Sequence, residues 1–330
     1  YACIALVTAD AVSEVTAASV SGLLYLRDRK KYIKKEPCAV STQSALKNLC
    51  SISLPVALST YIRSGLLTIE HILIPKNLIK NGLARSEALS LYGMLHSMVM
   101  PMVLFPTAIL LSFSGLLVPE LARCRAANNT ARMRHLMGTC LRMGLLFALS
   151  MSCLMGALSA GLGQLIYKSE RCGRYLLAFS PAVLLLYMDA MTDGMLKGFG
   201  EQTACVRINV LTSVLDVALL YVLLPRFGVT AYVGVFYVTH AVNFLLSIRR
   251  LFLVCGCRPR LQFAAKAAFC AISALLAACC IPDRGLLPAM VLRAGLYFSV
   301  LLLFLELTRT VPEADRRWLR RSLRLGLRGS

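Results

Sequence analysis

The sequence predicts an all-α polytopic membrane protein with nine transmembrane helices. Three observations carry that prediction. The chain is 58% hydrophobic and only 16% charged, whereas soluble domains run near half apolar with about a quarter charged. Its apolar residues come in continuous blocks of roughly twenty, the length that crosses a hydrocarbon core as a helix. They do not alternate with polar residues, as the strands of a membrane barrel would. Finally, the basic residues fall mainly between the blocks. A net charge of +20 on a soluble chain would point to nucleic acid. Placed between spans, it reads as membrane topology, and no nucleic-acid partner is expected.

Span one covers residues 1–26, with Asp10 and Glu14 one helical turn apart on one face. A loop with seven bases follows at 27–47, and span two covers 49–74. Span three lies in the stretch 87–125, whose middle, 91–118, runs 28 residues without an acid, Lys or Arg. That is long enough to cross a bilayer with tilt. It carries Pro101 and Pro106 inside the apolar run. A proline frees backbone carbonyls that neighbouring helices, side chains or water must satisfy, so this span is expected to bend and to face protein or a cavity. Span four covers 138–166, span five 175–196, span six 204–224 and span seven 229–248. Span eight covers 263–281 and span nine 286–305. A tail from 308 to 330 holds seven arginines.

Sorting the loops alternately gives the orientation. One side holds 27–47, 119–135, 197–203, 249–262 and the tail, with seven, four, one, four and seven bases, 23 in all. The other holds 75–86, 167–174, 225–228 and 282–285, with 8 bases in all. The richer side belongs in the cytoplasm, which puts Tyr1 outside and Ser330 inside. In the tail, Trp318, Leu319, Leu323, Leu325 and Leu327 stand among the arginines. They read either as a helix lying on anionic lipid or as a basic terminus that only sets topology.

Thirteen cysteines are present, most inside apolar runs, where Cys behaves as a small hydrophobe. Neither Cys255 with Cys257 nor Cys279 with Cys280 has zinc-ligand spacing. No Walker A loop, dinucleotide fingerprint or HExxH motif occurs, so neither a metal nor a nucleotide cofactor is expected. Tyr1 is no initiator and no signal peptide precedes it, so an N-terminal truncation is expected.

Four stretches in order resemble one family: residues 54–75 (LPVALSTYIRSGLLTIEHILIP), 92–122 (YGMLHSMVMPMVLFPTAILLSFSGLLVPELA), 187–202 (YMDAMTDGMLKGFGEQ) and 208–234 (INVLTSVLDVALLYVLLPRFGVTAYVG). Together they are similar to the stage V sporulation protein B-like branch of the polysaccharide and lipid-linked oligosaccharide flippases, in the multidrug and oligosaccharidyl-lipid exporter superfamily. The resemblance covers about a third of the chain. It implies a two-lobed fold of fourteen spans, of which the nine here would be the sixth to the fourteenth. Residues 1–26 would then be the last helix of the N-terminal lobe and 27–47 a basic cytoplasmic linker. Residues 48–250 would form the C-terminal six-helix lobe, 263–307 two additional spans and 308–330 a basic cytoplasmic tail. The missing N-terminal lobe would be a partner, because the family moves its substrate through a cleft between the lobes. In that register the sixth span runs from outside to inside, the direction the charge count gives independently.

Ionisable groups at bilayer depth are expensive and usually face a bundle interior or water. Arg63 and Glu70 in span two lie seven residues apart on one face. Arg63 reads either as a contact to the phosphate or sugar-acid groups of a lipid-linked donor, or as half of an ion pair locking two helices. Glu70 sits near the outer end and is read as a gate residue, with Pro101 and Pro106 as a flexible bend. Asp189, Asp193 and Lys197 recur every four residues on span five. They read as an intrahelical salt-bridge ladder or, for Asp193, as a cleft residue. Asn209, Thr212, Ser213 and Asp216 make an oxygen-rich face on span six. They glue helices, or they line the cleft and hold a cation. The resemblance raises coupling to Na+ or H+ as a further expectation. His96 and Asn243 read as single interhelical hydrogen-bonders, and His71, beside Glu70, as a group able to snorkel or titrate and without a metal-ligand partner at a recognisable spacing.

The expected function is a transporter, not an enzyme. It would flip a lipid-linked oligosaccharide or cell-wall precursor across a bacterial cytoplasmic membrane by alternating access, with Arg63, Asp193, Asn209 and Asp216 in its cleft. One rival is a multidrug cation antiporter of the same superfamily, whose cleft should be acidic and aromatic. Another is a membrane-embedded glycosyltransferase. That would need catalytic groups in substantial outer loops, and these loops are short, with Glu87, Glu170 and Asp283 as their acids.

Overall fold

The computed structural model describes residues 2–32, 41–256, 261–282 and 287–312. The tail residues 313–330, with Trp318 and its neighbouring leucines, lie outside the described residues, as do Cys257 and Asp283. Every regular element among the described residues is helical. The chain forms two compact units, Tyr1–Pro55 and Val56–Ser330.

In the first unit, α1 (Ala2–Tyr32) is one unbroken helix. Its hydroxyls stay satisfied by turning back on their own backbone. Thr16 Oγ1 donates to Val12 O at 2.7 Å and Ser19 Oγ to Val15 O at 2.7 Å. This local bond lets Ser and Thr sit in an apolar helix without a partner from elsewhere.

α2 (Thr42–Lys80) starts in the first unit and continues into the second. Then follow α3 (Arg85–Met94), a π-helical turn (Leu95–Val99), α4 (Met100–Leu104) and α5 (Thr107–Ala126). α6 (Thr130–Tyr167) is capped by Asn129, whose side chain accepts from the Arg132 N–H at 3.0 Å. α7 (Glu170–Phe179) is capped in the same way by Ser169, which accepts from Cys172 N–H at 3.2 Å. Each cap satisfies an N–H that has no partner inside its helix. α8 (Ala182–Gly198), α9 (Gln202–Phe227), α10 (Val229–Cys255), α11 (Leu261–Cys279) and α12 (Leu287–Leu307) complete the chain.

α8 is the centre of the second unit and packs against α5, α6 and α10. Tyr187, Val183, Thr192 and Leu196 on it are fully buried. Close approach to α5 needs Gly194, where an added Cβ would lie 2.8 Å from the Ser114 Cβ. α9 and α10 form an antiparallel hairpin closed by Gly228 alone (φ 59°, ψ −140°), a backbone conformation essentially open only to glycine. α11 and α12 pair with each other and pack on α6 through a smaller cluster around Ala271, Ala274 and Tyr297. The Tyr297 hydroxyl donates to Ser150 O at 2.9 Å. Large apolar side chains such as Phe105 and Leu116 point outward, 81% and 74% exposed, as a lipid-facing surface requires.

Among the described residues, six helices are long and apolar enough to cross a membrane: α5, α6, α9, α10, α11 and α12. The count becomes seven if α7 and α8, bent by 52° at their junction, form one span. Against the nine spans expected, the described residues thus supply six or seven helices that meet this length and composition. α1 and α2 occupy the places of the first two expected spans as continuous helices of 31 and 39 residues, and lie outside that count.

Two expected spans prove to be broken, and proline is the reason in both. Span three was expected to bend at Pro101 and Pro106. The chain there divides into helix, π-helical turn, short helix and helix. Pro106 has no N–H to donate to Met102 O, so the ladder stops there, and the next carbonyl, that of Val103, accepts from the buried Tyr187 hydroxyl at 3.0 Å. Span five was expected to be continuous, yet Pro181 splits it. The carbonyls of Ala178 and Ser180 accept from Tyr237 on α10 at 2.7 Å and Ser152 on α6 at 2.9 Å. Neighbouring helices thus add donors to carbonyls around the break, of which Ser180 O also accepts from Val183 N–H at 3.3 Å.

Candidate functional site

A cavity of about 320 Å³ opens between α2, the end of α8 and the start of α9. Arg63, Lys197, Gln202, Cys205 and Asn209 supply its polar and thiol groups, and Val206 and Val210 its apolar floor. α2 projects Arg63 into it, and α9 projects Cys205 and Asn209 from positions one turn apart. The lining carries two cations and no carboxylate.

The acids stand behind this cavity and are held by other groups. Asp193 Oδ2 receives Lys197 Nζ at 2.6 Å, one turn along α8. Asp189, a further turn back, departs from the expected ladder. Its Oδ2 accepts from Asn243 Nδ2 of α10 at 2.7 Å. Asn243 also reaches Asn209 Oδ1 at 3.3 Å, and Thr212 Oγ1 approaches Asn243 Oδ1 at 3.5 Å. One buried amide therefore joins α8, α9 and α10. A primary amide can do this because it offers two donors and an acceptor in one plane.

Arg63 forms no ion pair among the described residues. It lies in electrostatic range of Asp189 on α8 and of His240 on α10. The alternative reading, an ion pair with Glu70 or an acid of another span, is not formed among the described residues. Glu70 instead lies in electrostatic range of Asp216 on α9 and of Tyr92 and Tyr232. Asp216 Oδ1 accepts from Thr239 Oγ1 at 3.0 Å. Among the four expected cleft residues, Arg63 and Asn209 line the cavity and Asp193 flanks it through Lys197. Asp216 belongs to a second polar group with Glu70 and Thr239. Among the described residues no three His, Cys, Asp or Glu side chains converge as a metal site.

Several of these residues escaped the sequence reading. His71 and His96 read as single polar residues, but their rings lie 4.6 Å apart, and Tyr92 stacks on His96 at 5.6 Å. The Tyr92 hydroxyl is 2.7 Å from His71 Nδ1. The available signal was the four-residue step from Tyr92 to His96, which places both on one helix face. Nothing in the spacing could pair that face with His71 on another helix. Asn243 and Thr239 also lie one turn apart on α10, facing the polar side of α9. That signal was equally present and becomes meaningful only once the two helices are known to pair.

Pro101 and Pro106 do not line the cavity. The break beside them is fastened to α8 by Tyr187, and α8 carries Asp189 and Asp193.

No protein-family model matches the sequence. The chain is similar to stage V sporulation protein B of Bacillus subtilis (strain 168), with 23% identity over 225 residues. The matched region is 66% of this chain and 43% of that protein. The chain thus spans less than half the length of the relative it matches. The similarity is distant and, with the helical architecture, is compatible with a membrane transporter of flippase-like type.

Proposed function

We propose that this multi-pass helical protein forms the C-terminal lobe and two additional spans of a flippase. It would move a lipid-linked oligosaccharide or cell-wall precursor across a bacterial cytoplasmic membrane by alternating access, without covalent chemistry. The observation that carries the reading is the cavity holding Arg63 and Lys197 without a carboxylate. A guanidinium with no ion-pair partner matches the geometry of a pyrophosphate or sugar acid. The same lining speaks against the cation-antiporter alternative, which needs acids facing its ligand. The acids nearest this cavity face Lys197 and Asn243 instead.

In this reading α1 and α2 are also spans, which brings the count to nine, and the C-terminus is cytoplasmic. The N-terminal lobe closes the other side of the cleft as a partner. Glu70 and Asp216, two acids in electrostatic range with Thr239 beside them, are the groups that Na+ or H+ would neutralise during the cycle. Glu70 then acts as the gate.

The test is translocation of a lipid-linked sugar in proteoliposomes, compared with efflux of a cationic dye. Arg63→Ala is expected to lower translocation at least tenfold and Arg63→Lys to restore part of it, because lysine keeps the charge without the bidentate fork. Collapsing the Na+ or proton gradient in the same vesicles is expected to slow flipping. Dye efflux lost in Arg63→Ala with translocation intact would overturn the assignment.

A further inference from the structure

A second cavity, of about 520 Å³, lies on the opposite face of α9, between its start and the end of α10. Its polar wall is built from Arg207, Arg249 and Arg250, with Thr203 beside them. Ala204, Ile208, Leu246 and Leu253 form an apolar wall. Glu201 supplies the single acid and is already occupied: Arg250 Nη2 and Nε donate to its Oε2 at 2.7 and 3.1 Å. Arg207 and Arg249 have no acidic partner among the described residues. Two exposed guanidinium groups therefore line one groove without an acidic partner among the described residues, which makes that wall attractive to an anion. The first N–H groups of α9 point to the same end, where the helix dipole favours negative charge.

We propose that this groove binds the phosphate headgroup of an anionic phospholipid, with an acyl chain lying along the apolar wall. The ligand must be amphiphilic because the groove is. α9 and α10 are both membrane-crossing candidates joined by a tight turn, so the start of one and the end of the other lie at the same membrane face. The arginines stand at that face. Ile208, Leu246 and Leu253 alternate with them along the two helices. A soluble anion would use the arginines and leave the apolar wall bare. Basic pockets between spanning helices are suited to such headgroups. The groove shares no lining residue with the Arg63 cavity, so the proposal stands independently of the transported substrate.

The experiment is native mass spectrometry of the purified protein titrated with phosphatidylglycerol, with phosphatidylethanolamine and with inorganic phosphate. Phosphatidylglycerol is expected to bind at least tenfold more tightly than phosphatidylethanolamine and to resist competition by phosphate. The double variant Arg207→Gln with Arg249→Gln is expected to lose about 30-fold in affinity, roughly fivefold for each arginine near a lipid surface. Should the double variant fail to fold, the single variants are each expected to lose about fivefold. Unchanged binding in the variants, equal binding of the zwitterionic lipid, or full displacement by inorganic phosphate would each overturn the proposal. The last outcome would make the groove a site for soluble anions.

Discussion

Replacing Asn243 by leucine should loosen the three helices that carry the candidate site. The side chain is buried, and its amide contacts Asp189 at 2.7 Å, Asn209 at 3.3 Å and Thr212 at 3.5 Å. Interhelical hydrogen bonds in membrane proteins are worth about 0.6 kcal/mol on average and up to about 1.7. The short bond to a carboxylate belongs near the upper end and the 3.3 Å bond near the average. The 3.5 Å contact contributes little at that distance. These sum to about 2 kcal/mol. A second cost follows, because Asp189 Oδ1 already has no hydrogen-bond partner, and the substitution strips Oδ2 as well. A buried polar group left bare costs about 1–3 kcal/mol. The expected loss is therefore about 3–5 kcal/mol, read as a shift in reversible unfolding in mixed micelles. The double variant with Asp189→Leu separates the two contributions. Removing both partners of a buried bond can be nearly neutral, so the double variant should be less unstable than the sum of the singles by about 1–3 kcal/mol. A single-variant loss under about 0.5 kcal/mol, or strict additivity, would refute Asn243 as the junction of α8, α9 and α10.

Two further outcomes are expected. Pro101→Ala with Pro106→Ala should spare membrane insertion and impair transport, because N–H groups at 101 and 106 could pair with Ser97 O and Met102 O and let the helix run on, so that Thr107 N–H takes Val103 O from Tyr187; unchanged flipping would reduce both prolines to packing features. Gly228→Ala should destabilise by about 1–3 kcal/mol, since its backbone is strained for any other residue and the new Cβ would lie 2.6 Å from Asn81 Oδ1. An unchanged unfolding midpoint would show that the α9–α10 turn relaxes freely.

The places where helices exist were legible because a bilayer imposes a simple code. A block of about twenty apolar residues and a flanking base need no tertiary information to be read. The spans expected at 204–224 and 229–248 correspond to α9 and α10. The break at Pro181 was missed although the proline was visible. A proline can be absorbed in a helix, as Pro119 is in α5 and Pro225 in α9. It becomes a break where neighbours such as Ser152 and Tyr237 offer hydroxyl donors to the carbonyls around it. The site was partly legible for the same reason. Charged residues inside apolar runs marked Arg63, Glu70, Asp193 and Asp216 individually, because each is costly there. Their grouping was not.

By itself, then, the sequence determined that the chain is helical and membrane-spanning in character, and which polar residues are exposed to the cost of that environment. It also determined the local devices, since the Asn129 and Ser169 caps and the Thr16 and Ser19 back-bonds involve neighbours within one turn. Only the tertiary structure decided that Asp189 meets Asn243, that Arg63 stands beside a cavity with no ion pair among the described residues, and that His71 meets Tyr92 and His96. The physical reason is range. Hydrophobicity, capping and proline chemistry act within a turn or along one helix, and are written in consecutive residues. The partner of a buried carboxylate or guanidinium is whichever group another helix brings within about 3 Å, and that depends on how helices far apart in the chain pack.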